Sequence, residues 1–273
     1  MRICHTLALQ MTFAEVSPAG DRGASNFKGL AMKLYFAPMT CSLSPHIVLR
    51  ELGLSFEMIR VNNQTKRTAD GRDFREINPK GYVAALQLDN GEVLTEGPAI
   101  LQFLADQFPG NDLAPAAGTW DRTRLQEHLN FISSEIHGAS APLFSGEFAE
   151  PVKAIFRHKL YKRLDYLEQT LTGQDYLMNT FGVADAYLFT VLTWLPTFNI
   201  DICEWPTLAA YMQRIGARPS VLAAIAAGSS DFASLNARGP WPEGICKLAR
   251  SSFTRTREAH GQSRHHLHAR SGH

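Results

Sequence analysis

An apolar run, Lys33-Leu-Tyr-Phe-Ala, breaks at Pro38 and passes through Met39 and Thr40 into Cys41-Ser42-Leu-Ser-Pro-His46. This is the pattern of a strand, a tight turn and the mouth of a helix. Ile47, Val48 and Leu52 share one helical face before Gly53 ends it, and Phe56–Val61 supplies a second apolar run. A strand, a crossover helix and another strand at this spacing form a right-handed βαβ unit with parallel strands, which commits the segment to a layered α/β arrangement. Cys41 stands at the helix mouth, where unpaired N–H groups and the helix dipole favour a thiolate over a thiol with a free pKa of about 8.5. The competing reading is a small buried hydrophobe, since most free cysteines are buried. Position alone leaves both open.

After the second strand comes a polar stretch, Asn62–Arg75, that carries Lys66 and Arg67, and then the turn residues Asn78-Pro-Lys-Gly81. Val83–Leu88 and Glu92–Leu94 flank Asp89-Asn-Gly91, a hairpin signal, and Gly97-Pro98 opens a helix that runs to Gln107. The order β-α-β-α-β-β-α describes a small α/β domain with a mixed four-stranded sheet over residues 32–112. Beyond the Pro-, Gly- and Ala-rich loop Pro109–Thr119 the strand pattern stops. Trp120–Leu143, Pro151–Leu171, Val183–Phe198, Pro206–Ile215 and Ser220–Ala227 all read as helices, an all-α domain over residues 118–228.

Both ends depart from this pattern. Residues 1–31 show no periodicity, and as a signal peptide they are poor, because His5 and Gln10 interrupt the apolar run. Residues 229–273 are rich in Ser, Arg and His; their Arg264-His-His-Leu-His268 reads as part of a disordered tail in preference to a weak metal site. The four cysteines are far apart and form no CxxC pair, so neither a zinc site nor a disulfide framework is indicated and a reducing, cytoplasmic compartment fits. Residues 32–228 carry 17 Lys+Arg against 21 Asp+Glu, which argues against nucleic acid as the main partner. No stretch approaches the ~20 continuous apolar residues of a membrane helix.

A thioredoxin-like α/β half followed by a helical half, with Cys-Ser at the first strand-to-helix turn, resembles the cytosolic glutathione transferases. The segment Pro38-x-x-Cys41-Ser42-Leu-x-Pro-His46-Ile-x-Leu-Arg50-Glu51 is similar to the bacterial beta class. Ile77–Gly81, Leu94–Ile100, Glu135–His137 and Val183–Phe189 agree with it in unbroken order. The resemblance implies a transferase that conjugates or transfers glutathione to hydrophobic electrophiles, with thiol-disulfide exchange through Cys41. It implies a cytoplasmic homodimer with glutathione as co-substrate and no cofactor or metal.

The resemblance also implies roles. Cys41, Ser42 and His137 are the catalytic candidates: Cys41 as the thiol that forms a mixed disulfide, Ser42 as a hydroxyl beside the sulfur or an N-cap, and His137 as an imidazole facing the thiol, accepting a hydrogen bond or pairing with a thiolate. The glutathione-binding candidates are Lys66 for the glycyl carboxylate, Val83 for the cysteinyl backbone, Glu96 for the ammonium, the Gly97 N–H for the adjacent carboxylate, and Asn130 from a partner subunit. Phe36 stands where many relatives carry tyrosine, Gly97 and Gly182 where they carry a hydroxyl residue, and Gly138 where they often carry lysine. Ala84 replaces the superfamily's cis-proline, and from this the resemblance draws its alternative reading, a catalytically weakened binder of glutathione or hydrophobic ligands.

Overall fold

The computed structural model describes residues 32–108 and 110–228. The proposed tails at 1–31 and 229–273, with the His-rich segment, lie outside the described residues. Strand β1 (Met32–Phe36) pairs in parallel with β2 (Phe56–Asn62), and α1 (Leu43–Glu51) makes the crossover. Strand β4 (Ala85–Gln87) runs antiparallel to β1, with Leu34 opposite Leu86, and β5 (Val93–Thr95) runs antiparallel to β4. A two-residue strand, β3 (Arg67–Thr68), joins the far edge, giving the order β3-β2-β1-β4-β5. The expected mixed four-stranded sheet is therefore present with one short strand added.

Strand alternation sorts the apolar side chains. Met32, Leu34 and Phe36 face the main core beneath α1 and α2 (Gly97–Gln107), whereas Tyr35 packs on the other face with Ile59, Val61, Phe74, Val83 and Ala85. The helix expected between β2 and the hairpin is a single 3-10 turn, Phe74–Glu76, capped by the Asp73 carboxylate on Arg75 N–H at 2.9 Å. Gly71 and Gly81 flank it at φ 87° and 69°, backbone that a helix does not continue through.

The second half contains α3 (Trp120–Phe131), which runs into a π-turn (Ile132–His137) and the short α4 (Gly138–Ser140). It continues with α5 (Glu150–Thr170), α6 (Val183–Leu192), α7 (Pro206–Gly216) and α8 (Pro219–Gly228). Two helices predicted as continuous are interrupted where proline removes an N–H: 3-10 turns form at Ala141–Phe144, with Pro142, and at Leu195–Phe198, with Pro196. Every residue of α6 is buried, as expected of a helix apolar on all sides. It packs against α1, α2, α3 and α7, so it lies between the two halves.

The halves are fastened by α1 against α6 and α8. Glu51 at the end of α1 accepts from the Arg218 guanidinium and the Ser220 hydroxyl, and the guanidinium lies 3.9 Å from the Phe181 ring centroid. Among the described residues Cys41 is the free cysteine. Cys203 is disulfide-bonded, which the spacing of the cysteines did not indicate. No described helix is long and apolar enough to cross a membrane.

Candidate active site

The loop from β1 to α1 is a wired turn. Met39 sits at φ 60°, Leu43 N–H donates to Thr40 O at 3.1 Å, and Ser44 N–H donates to Cys41 O at 3.2 Å. Ser42, 1% exposed, holds the loop shut: its hydroxyl donates to Ala37 O at 3.1 Å, accepts from Ala37 N–H at 3.3 Å and shares a 2.7 Å hydrogen bond with Thr40 Oγ1. Ser42 makes no side-chain cap to α1, which corrects the capping role, and in this structure its oxygen bonds inside the loop.

Cys41 Sγ–H donates to the carbonyl of Val83 at 3.2 Å, spanning from the loop to the chain that enters β4. Burial raises its pKa to about 11, opposed by backbone hydrogen bonds from Ala84 and Cys41 and assisted by the Glu96 charge. The helix-mouth expectation of a thiolate is reversed here, because desolvation outweighs the amides and the neighbouring charge is negative. Without a ligand the site holds a neutral thiol. The Val83-Ala84 peptide is cis, which the sequence left open.

Glu96 adopts φ 71° at the N-cap of α2, and its carboxylate is 69% exposed and paired with Lys80, whose Nζ also donates to Thr95 Oγ1 at 2.8 Å. An acid for an ammonium is thus already facing an ammonium. Gly97 follows as the first residue of α2, and no acceptor for its N–H occurs among the described residues, as an anion site at a helix N-terminus requires. A Cβ at Gly97 would sit 3.9 Å from Tyr187 Cε2 of α6. Lys66, at φ 57°, is held by Lys66 N–H to Asn62 O and Phe74 N–H to Lys66 O, both 2.8 Å, and its ammonium lies 5.0 Å from the Tyr82 ring, beside Val83.

His137 ends the π-turn and packs against α6. Its Nδ1 lies 2.7 Å from Tyr187 Oη, and its ring meets Trp194 edge-on with centroids 4.9 Å apart. Burial lowers its pKa, only partly offset by the Glu96 charge, so the imidazole is neutral at pH 7. The ion-pair role is therefore corrected, and a neutral hydrogen-bonding role remains. Tyr187 feels both Cys41 and Glu96 electrostatically, which places the thiol, the acid, the phenol and the imidazole in one neighbourhood. Phe144, half-exposed, continues the aromatic wall by edge contacts to Trp194 at 5.4 Å and Phe198 at 4.7 Å.

The fold thus gathers Cys41, Val83, Glu96, Gly97 and His137, with Lys66 adjoining through Tyr82. Asn130 is exposed on α3, where its carbonyl accepts from Ser134 Oγ at 2.9 Å, apart from this group. Phe36 faces the main core, and the Tyr35 hydroxyl is spent on Gln87 Oε1 at 2.9 Å, so neither strand aromatic supplies a hydroxyl to the site. Sequence reasoning assigned no role to Tyr187 or Lys80. The signal for Tyr187 was present: a phenol in a wholly buried helix needs a partner.

Comparison with known proteins agrees with this geometry. The chain matches the models for the glutathione S-transferase N-terminal domain at residues 38–107 and C-terminal domain at residues 124–219. It is 41% identical over 197 residues to glutathione S-transferase GstA of Escherichia coli O157:H7, covering 72% of this chain and 98% of that one. The chain belongs to the glutathione S-transferase family. Among solved structures, a sphingomonad glutathione S-transferase complexed with glutathione is 45% identical with a TM-score of 0.70, covering 72% of this chain and 98% of that one. The beta-class transferase of Sphingomonas chungbukensis is 43% identical with a TM-score of 0.71 and the same coverage. This glutathione S-transferase fold is therefore shared through residues 32–228, and its kinship is with the bacterial beta class.

Proposed function

We propose that this chain is a glutathione transferase that joins glutathione to hydrophobic electrophiles, acting as a cytoplasmic homodimer with glutathione as co-substrate and no other cofactor. The observation that carries the reading is the meeting of Cys41 Sγ and Val83 O at 3.2 Å, beside the α2 N-terminus where Glu96 and the Gly97 N–H offer a carboxylate and a donor to an amino acid's two ends. Glutathione then lies across the segment that enters β4, its γ-glutamyl group at Glu96 and Gly97, its cysteinyl backbone at Val83 and its glycyl carboxylate toward Lys66. The ligand's ammonium displaces Lys80 from Glu96 in a like-for-like exchange. Domains at residues 32–112 and 118–228 divide the work, and Asn130 acts across the dimer.

In conjugation the glutathione thiol loses its proton to solvent, its sulfur attacks the electrophilic carbon, and the leaving group departs with the electron pair. The enzyme contributes proximity and a polar, water-poor setting for the sulfur. In thiol-disulfide exchange Cys41 gives up its proton, attacks the glutathionyl sulfur of a mixed disulfide and releases the other thiolate. The aromatic wall of Trp194, Phe144 and Phe198 suits an apolar second substrate. The binder without turnover is not favoured, since the named relatives are transferases.

Retention on immobilised glutathione and elution by the free tripeptide test binding. Mass analysis after exposure to oxidised glutathione tests the thiol: a mixed disulfide on the wild type that is absent from Cys41→Ser is the expected result. An adduct surviving in that variant assigns the chemistry to another cysteine.

A further inference from the structure

We propose that Tyr82 is a positioning residue whose ring holds the Lys66 ammonium ready for the glycyl carboxylate of glutathione, and so selects a thiol peptide with a free C-terminal carboxylate. This rests on the function proposed above and deepens it. Lys66 is one of five cations between residues 66 and 80, and the other four are partnered inside the protein. Arg67 Nη1 donates to Gly71 O at 2.7 Å, Arg72 Nε meets Asp70 Oδ2 at 2.8 Å, Arg75 Nη1 lies 3.6 Å from Asp73 Oδ2, and Lys80 is paired with Glu96. The Lys66 ammonium has no carboxylate partner among the described residues; it rests 5.0 Å from the centroid of the Tyr82 ring.

Both ends of this contact are pinned by the backbone. Lys66 is fixed at φ 57° by its two main-chain hydrogen bonds, and Tyr82 O accepts from Nδ2 of the buried Asn78 at 2.7 Å. Between them the Lys66 stem passes Gly81, where a Cβ would lie 3.8 Å from Lys66 Cδ. Tyr82 is 71% exposed, so its ring adds nothing to the core; the cation on its face is what it holds. Val83 follows directly, with its carbonyl 3.2 Å from Cys41 Sγ, so the ring adjoins the place assigned to the cysteinyl backbone. An aromatic face attracts an ammonium without neutralising it and covers only one side of it, which leaves its other N–H donors open to an anion. A lysine already resting on a ring has also lost part of its torsional freedom before the ligand arrives. Lys80 is the contrast, since its carboxylate partner has to be exchanged first.

Calorimetric titration of the full chain with glutathione and with its glycyl ethyl ester, at low ionic strength, tests the contact. Tyr82→Leu keeps an apolar side chain and removes the π face. Its Kd for glutathione is expected to rise about two- to fivefold, the worth of an exposed cation–π contact, with the Kd for the uncharged ester unchanged. Tyr82→Phe retains the ring and restores tight binding of the free acid. In Lys66→Met the preference for the acid over the ester disappears, and adding Tyr82→Leu has no further effect. Equal losses for acid and ester in Tyr82→Leu, or a loss that persists in the Lys66→Met background, assign the ring to packing and overturn the proposal. An unchanged or tighter affinity for glutathione in Tyr82→Leu overturns it too, and leaves the proposed function standing. A wild type that binds neither probe fails the proposed function, and this proposal with it.

Discussion

A thiol at the mouth of a helix becomes reactive when the amides solvate its anion, but Cys41 turns its hydrogen to Val83 O, and burial dominates. Thiolate chemistry in the ligand-free protein therefore appears only in alkali. Alkylation of Cys41 by iodoacetamide, followed by mass spectrometry across pH, is expected to rise with a midpoint near 11, well above the free-cysteine value of about 8.5; a midpoint below that of free cysteine contradicts it. At Gly97 the space for a side chain is ordinary contact distance, 3.9 Å to Tyr187, so Gly97→Ser adds a hydroxyl donor without displacing anything. Its expected effect is tighter glutathione binding by about 1 kcal/mol, read as a Kd change of about fivefold by calorimetry. Glu96 is largely exposed, so Glu96→Gln is expected to weaken binding only several-fold, consistent with ~0.2–1 kcal/mol for an exposed pair. The resemblance singled out these residues in the sequence, but the protonation of Cys41 was not legible there, because desolvation is a property of the packed fold. Ser42 shows the same limit: a hydroxyl beside a cysteine is visible in a sequence, but the three loop partners that consume it are not.

Among the elements, the entry to α6 departs most from expectation. The sequence suggested that Gly182 merely lacks a capping hydroxyl, at a cost of a few tenths of a kcal/mol. In the structure the half of the capping box that survives is Gly182 N–H to Asp185 Oδ2 at 2.9 Å, and a Cβ at Gly182 would lie 2.8 Å from Leu113 O, the acceptor of Val183 N–H. The loop has closed onto the glycine. Gly182→Ser is therefore expected to destabilise the protein by about 1–2 kcal/mol, as overpacking does, in urea unfolding; a stabilised variant contradicts this. Asp185 also accepts from Leu177 N–H and the Tyr211 hydroxyl, each at 2.9 Å, yet burial still raises its pKa to about 6. Its folded pKa lies above the unfolded value, so the folded state binds the proton more tightly. Ionised Asp185 thus lowers stability above pH 6, and its contribution is recovered as pH falls from 6 toward 4, amounting to ~3 kcal/mol. A carboxyl titration by NMR with a midpoint near 6 is the expected reading, and a midpoint below 4 contradicts it. Strand and helix positions were legible from periodicity, because the alternation of Leu34 and Phe36 against Tyr35 is local. The π-turn, the 3-10 breaks and the closure on Gly182 depend on neighbours distant in the chain.

At the scale of the molecule the two halves work as one because α6 is buried between them and the Glu51 carboxylate ties α1 to Arg218 and Ser220. Glu51 and Arg218 are 22% and 27% exposed, between a surface pair and a buried one, so Glu51→Gln is expected to cost about 1–2 kcal/mol of stability in the same urea assay. The two-part architecture was legible where the hairpin pattern gives way to helical periodicity after Thr119. The clasp was not, since nothing local announces that Glu51 and Arg218 meet. What this architecture brings together is the Cys41 loop and the α2 N-terminus on the α/β half and an aromatic wall on the helical half. The most direct test is the initial rate of S-arylation of glutathione by 1-chloro-2,4-dinitrobenzene with the full chain. The predicted result is a rate above the uncatalysed reaction that saturates in glutathione and falls in Glu96→Gln. A rate equal to the uncatalysed reaction at every glutathione concentration, with no retention on immobilised glutathione, contradicts the account.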